Sequence, residues 1–344
     1  MKFSVGYQFF AETCDYFAPS ICSQKEHIDE VYFPWLDTQT CRESLSNDRG
    51  AINWQAQTRL ESDIKSFKEN GIKLNLLLNS NCYGERAVSD YFKNYICSIV
   101  DHIQETAKVL DTVTTTSPFA AWVVKRFFPE VKTRASVNMR IGTIQGIKHV
   151  ADLFDGFYLQ REFNRNMEYI RDLKKWLDNQ GKTLHLLANS GCMQFCSWQI
   201  FHDNAVGHEN GIKETQNINE FNTAGCWSYY KNQENWVSLL QNTWIRPEDL
   251  DNYAEFFRCV KLATRSSSKP LAVIKAYIDR RYDGNLLDLL EPNHTSLLSG
   301  YYIDNRAFPE DWFHHTSNCS GYCDECGYCK RVMTKVLKKI PASK

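Results

Sequence analysis

The sequence predicts an α/β fold: a (β/α)8 TIM-like barrel over residues 1–270, followed by a cysteine-rich C-terminal extension over 271–344. Two observations carry this expectation. Eight short apolar segments alternate, for the most part, with amphipathic ones, and eight strand–helix repeats are what close a parallel barrel. Past about residue 270 the periodicity fades, Tyr, Asn and His become frequent, and four cysteines crowd into the run CSGYCDECGYC. A doubly wound open sheet is the other architecture that such alternation permits.

The strand segments are, in order, FSVGYQ (3–8), DEVYFP (29–34), KLNLLLN (73–79), DTVTTTS (111–117), TRASVNM (133–139), FDGFYLQ (154–160), TLHLLAN (183–189) and RCVKLAT (258–264). Each is a short apolar or alternating run bounded by polar or turn-forming residues. Between them, WQAQTRLESDIKSFKENG (54–71) places apolar residues three and four apart and ends on Gly71. Glycine just past the last turn is a common helix terminator, because it accepts the left-handed conformation. NRNMEYIRDLKKWLDNQG (164–181) repeats the arrangement and closes on Gly181. The third and seventh strands echo each other, KLNLLLNSNC against TLHLLANSGC, which puts Cys82 and Cys192 on one rim. The basic terminal stretch KRVMTKVLKKI reads as the solvated face of a helix.

Composition narrows the function classes. Lys plus Arg is 40 against 41 for Asp plus Glu, a net charge of −1. That balance leaves no overall electrostatic footprint for nucleic acid or an anionic membrane. No apolar run reaches the roughly 18 residues that span a bilayer, and MKFSVGYQFF lacks a signal peptide's apolar core and cleavage site. A cytoplasmic location is therefore expected, where thiols stay reduced. The 13 cysteines then read as metal ligands or small buried residues. The expected partner is a small-molecule or peptide substrate rather than nucleic acid.

Two cysteine groups carry the chemistry. Cys192 and Cys196 follow the seventh strand directly, at the carboxyl-end rim where barrel sites are built. Cys226 in TAGCWSYY lies on the long segment beyond, and Cys41 and Cys82 follow strands two and three toward the same rim. Cys319, Cys323, Cys326 and Cys329 form the second group, with C-x3-C-x2-C-x2-C spacing. Thiolates in sets of four suit zinc or an iron–sulfur cluster. The tail is thus expected to hold a second cluster or zinc. Cys14, Cys22, Cys97 and Cys259 read as packing residues.

Polar residues gather at the same strand ends. Arg140, Arg161 and Arg265 can grip a carboxylate with two parallel bonds, or brace loops as salt bridges. His202, just past Cys196, is a candidate proton shuttle or a structural histidine. Arg265, His202, Arg140 and Arg161 are the catalytic candidates.

Taken in series, VYFP…CR after strand two, FNRNMEYI after strand six, LLANSGCMQFC after strand seven and WIRPEDLDNY…VKLATR around strand eight resemble the peptidase U32 family, over most of residues 1–285. The resemblance implies a 4Fe–4S cluster on four cysteines. It also implies oxygen-independent hydroxylation, in relatives of tRNA or rRNA bases or of a ubiquinone precursor, with prephenate as hydroxyl source in some. By it, Cys192, Cys196 and Cys226 are cluster ligands and Cys41 matches an early cysteine of the ubiquinone branch; some relatives act as heterodimers. The C-x3-C after strand seven is shorter than the family spacing, and the cysteine tail is absent from the best-known members. A non-catalytic scaffold working with a partner, and a hydrolase, are the alternatives. Neither a Ser-His-Asp order nor an HExxH helix occurs in support of the latter. The run C-x3-C-x2-C of the tail also matches a radical S-adenosylmethionine motif, but that motif belongs after the first barrel strand, not at the end.

Overall fold

In the structure, a computed structural model, residues 1–12, 15–36, 38–40, 45, 53–208, 212 and 221–341 are described. Eight parallel strands close into a barrel, one from each predicted segment. They are β1 (Lys2–Gly6), β2 (Ile28–Pro34), β3 (Lys73–Leu78), β4 (Thr112–Thr115), β5 (Lys132–Ala135), β6 (Gly156–Tyr158), β7 (Thr183–Leu187) and β8 (Cys259–Leu262). Each pairs with its sequence neighbours, and β1 meets β8 in register Ser4 to Lys261 to complete the ring.

One helix follows each strand: α1 (Phe17–Cys22), α2 (Trp54–Glu69), α3 (Asp90–Ala107), α4 (Pro118–Phe127), α5 (Ile144–Lys148), α6 (Met167–Asn179), α7 (Gln199–Gly207) and α8 (Pro270–Asp279). Their ends follow local chemistry. Asn53, Ser89, Ser117, Thr143 and Asn166 each accept a backbone N–H of the first turn, satisfying a donor that has no partner within the helix. Gly71 and Gly181 take positive φ just past α2 and α6, as expected of helix terminators. On α6, Ile170, Leu173 and Leu177 form the stripe buried against the sheet.

The lumen is unusually polar. Glu30, only 2% exposed, accepts bonds from Ser4 Oγ (2.7 Å), Asn75 Nδ2 (2.9 Å) and both terminal nitrogens of Arg134 (2.9 and 3.0 Å). Lys261 stands above this pair with its ammonium over the Tyr32 ring, 3.9 Å from the centroid. These charges alternate inward along the strands, so each sits in the barrel centre although it belongs to an apolar segment.

The C-terminal extension is tied to the barrel by apolar contact. Because α8 is the helix that follows β8, the extension proper begins after it. Leu286, Leu298, Ile303, Trp312, Val332 and Val336 join the same core cluster as the barrel residues. Tyr301–Ile303 pairs antiparallel with Leu337–Lys339, and helix Tyr328–Val336 buries its apolar side while its lysines face out. No described helix is long and apolar enough to cross a membrane.

Candidate thiol site at the barrel rim

The loop after β7 starts from a fixed platform. Asn189 is fully buried; its side chain donates to the carbonyls of Ala263 and Leu289 (both 2.8 Å) and accepts the Ala263 N–H (2.6 Å). It locks the end of β7 against β8 and the extension. Gly191 comes next, and a Cβ there would collide with the Pro292 carbonyl, so only glycine fits. Cys192 and Cys196 follow, with Phe195 between them held at φ 49°, a left-handed conformation that side chains other than glycine seldom adopt.

Cys192, Cys196 and Cys226 are brought together. Burial pushes the Cys226 thiol up to about 12, and negative charge on Cys192 and Cys196 adds to the rise. Burial likewise raises Cys196, with Cys192 again adding to it. Thiols raised in this way need a cation beside them to become thiolates. Among the described residues, no three His, Cys, Asp or Glu side chains already converge at coordination distance. Cys82 follows the end of β3, where its sulfur accepts the Gly84 N–H at 3.4 Å. Cys41 lies outside the described residues, as does Cys14. Cys22 and Cys97 pack against the core, and Cys259 opens β8 at the far end of the barrel.

Arg161 contacts the thiol of Cys192 directly. Only 3% exposed, it donates through Nη1 to Cys192 Sγ (3.3 Å) and Ser190 Oγ (3.4 Å). Its Nη2 is buried with no partner among the described residues, as is Oε2 of the adjacent Glu162. A buried guanidinium without a carboxylate is costly unless an anion faces it. Arg140 is engaged differently: it bridges Glu162 Oε1 (2.8 Å) and Gln199 Oε1 (2.9 Å), and so braces the loop after β5 against α7. Arg265 lies across β1, its Cγ 2.6 Å from where a Cβ on Gly6 would stand. Its charge reaches both Tyr32 and Lys261. His202 and Cys192 line a groove of about 1140 Å³ beside the rim, together with Asp203, Cys226 and Glu291.

His294 escaped the sequence reading. It is fully buried, its ring 5.1 Å from that of Tyr230 and 5.9 Å from that of Trp227, the residue after Cys226. Neither ring nitrogen has a partner among the described residues, and burial lowers its pKa to about 4. The lumen charges Glu30, Arg134 and Lys261 were missed as well. Their signal was present, since each is a charged residue inside an otherwise apolar strand segment.

No protein-family model matches the chain. An uncharacterized protease of Methanocaldococcus jannaschii is 26% identical over 294 residues, covering 81% of each protein. A U32 peptidase of known structure superposes with a TM-score of 0.51 at 13% identity, over 76% of this chain and 92% of that one. The chain thus shares the barrel fold of a U32 peptidase and is similar in sequence to a protein named as a protease. The segments that follow β6 and β7 are neighbours in the fold: Arg161, two residues before FNRNMEYI, touches Cys192 of LLANSGCMQFC.

Proposed function

We propose that this U32-type barrel is an iron–sulfur enzyme that carries out oxygen-independent hydroxylation, or a related modification, of a small molecule, peptide or RNA base. The observation that carries the reading is Arg161. Its buried guanidinium has no carboxylate partner among the described residues and donates to Cys192 Sγ. Cys192, Cys196 and Cys226 suit a 4Fe–4S cluster, because thiolates are its ordinary ligands and these three lie close enough for charge on one to act on another. Those three would hold the cluster, with Cys41, Cys82 or the unpartnered His294 as candidates for a fourth ligand. When bound, such a cluster supplies electron transfer or, at an open iron, Lewis acidity.

The chain's own groups then have separate tasks. Arg161 stabilises the Cys192 thiolate and offers Nη2 to an anionic substrate group. Arg265 supplies a second guanidinium on the adjoining rim, so a carboxylate-bearing donor or substrate would be held between strand ends. His202 in the groove is placed to take or give a proton at a ring nitrogen. Trp198, Phe201 and Phe221 pack ring against ring beside the cysteine loop and stay partly exposed, which suits contact with a protein partner.

Hydrolysis is the second reading, and the relatives' printed names, a protease and a U32 peptidase, favour it. Anaerobic purification with iron and sulfide analysis, alongside peptide-hydrolysis assays of metal-free protein, separates the two. Iron loss with Cys192→Ser supports the cluster enzyme. Undiminished peptide cleavage by iron-free protein overturns it.

A further inference from the structure

A second buried guanidinium lies four residues from Arg161 and faces the other cysteine group. Arg165 donates to the carbonyls of Leu240 (3.0 Å) and Trp244 (2.9 Å) and stacks over the Trp244 ring at 4.5 Å and the Trp312 ring at 5.3 Å. No carboxylate pairs with it among the described residues, since the nearby Asp249 is held by both arms of Arg246. Trp312 in turn stacks on Tyr328, the residue before Cys329 of the tail, with ring centroids 6.1 Å apart.

The four tail cysteines are gathered as well. Cys319, Cys323, Cys326 and Cys329 all line one hollow of about 440 Å³, with His315 at its edge. Two glycines in the left-handed conformation, Gly321 and Gly327, turn the chain between these cysteines. The Gly321 N–H donates to Cys319 Sγ (3.4 Å). His315 stacks on Tyr328 with ring centroids 3.6 Å apart, and its Nε2 lies 3.5 Å from Cys326 Sγ.

We infer that the tail binds a thiophilic metal centre through Cys319, Cys323, Cys326 and Cys329, and that Arg165 of the barrel is its fixed counter-charge. Four neutral thiols release four protons to solvent as they bind one divalent metal, leaving a complex of charge −2; a 4Fe–4S core in its usual +2 state on four thiolates has the same charge. Either centre explains why a guanidinium is buried there without a carboxylate. His315 donates to a sulfur from outside the ligand set and orients it. Binding would then lock the extension onto the β6–α6 loop that also carries Arg161.

The test uses the full chain with Cys192→Ser and Cys226→Ser, so that only the tail can load. Zinc chloride alone is offered in one arm, iron with sulfide under anaerobic conditions in the other. The expected result is one centre per chain in at least one arm, four sulfur ligands by X-ray absorption, and loss of the centre with Cys323→Ser, an exposed position. Arg165→Met should weaken metal retention about 10- to 100-fold, and Arg165→Lys should restore most of it. No loading in either arm, three sulfurs with one nitrogen, or an Arg165→Met protein that folds and holds metal as tightly as its parent would overturn the inference. Failure of the rim cluster instead appears as wild-type protein that loads only the tail, so the two proposals are separable.

Discussion

Replacing Glu30 by Gln removes the anion from the centre of the lumen and leaves Arg134 buried without its partner. Burial alone raises the Glu30 carboxyl, but the Arg134 charge and the bonds from Arg134, Ser4 and Asn75 outweigh it and bring the pKa from 4.5 down to about 2. That drop corresponds to about 3 kcal/mol of folding stability, within the roughly 3–5 kcal/mol typical of breaking one side of a buried pair. Because the folded value lies below the unfolded one, this stabilisation is complete above pH 4.5 and is lost as pH falls toward 2. Urea unfolding at pH 7 should therefore show Glu30→Gln less stable by about 3 kcal/mol, and its acid unfolding should lack the wild-type steepening below pH 4.5. A loss under about 1 kcal/mol with an unchanged acid profile would refute the claim that the pair holds the lumen together.

Lys261 gives the opposite pH signature. Burial lowers its amine to about 7, so protonation opposes folding below that pH, and stability rises between about 7 and 10.5. Lys261→Met should be more stable than wild type at pH 6 and lose that advantage by pH 10, as thermal unfolding at both values will report. Gly6→Ala drives a methyl against Arg265 Cγ and the Tyr32 ring at 2.6–2.8 Å. It should cost about 1–3 kcal/mol in a melting experiment. Arg265→Lys keeps the charge but loses the two-pronged grip; reduced turnover with an unchanged metal content is expected, and wild-type turnover in both Arg265→Lys and Arg265→Ala would exclude an anchoring role.

The barrel was legible because each strand segment is apolar and bounded by turn-forming residues, while α2 and α6 announce themselves by spacing and a closing glycine. Cys192, Cys196 and Cys226 were legible from their place after β7, since strand ends share one rim. The roles of the arginines were not. Arg140 and Arg161 look alike in sequence, yet Glu162 pairs with the first and a thiol faces the second, and only the folded loop decides which. His294 sits in a stretch without period or motif, and Arg165 opens a helix segment where a charged residue reads as solvated, so nothing local distinguishes them from surface residues. Their significance arises from burial, His294 with no hydrogen-bond partner among the described residues and Arg165 with no carboxylate, a property of the packed molecule alone.

The central claim, that the rim thiols hold iron, is tested most directly in a chain whose tail is disabled by Cys323→Ser and which is purified without air. The account predicts a brown protein with iron and acid-labile sulfide in equal amounts, about four of each per chain. Both should vanish when Cys192 or Cys226 is changed to Ser. A colourless protein that binds zinc and no iron at these thiols would contradict it.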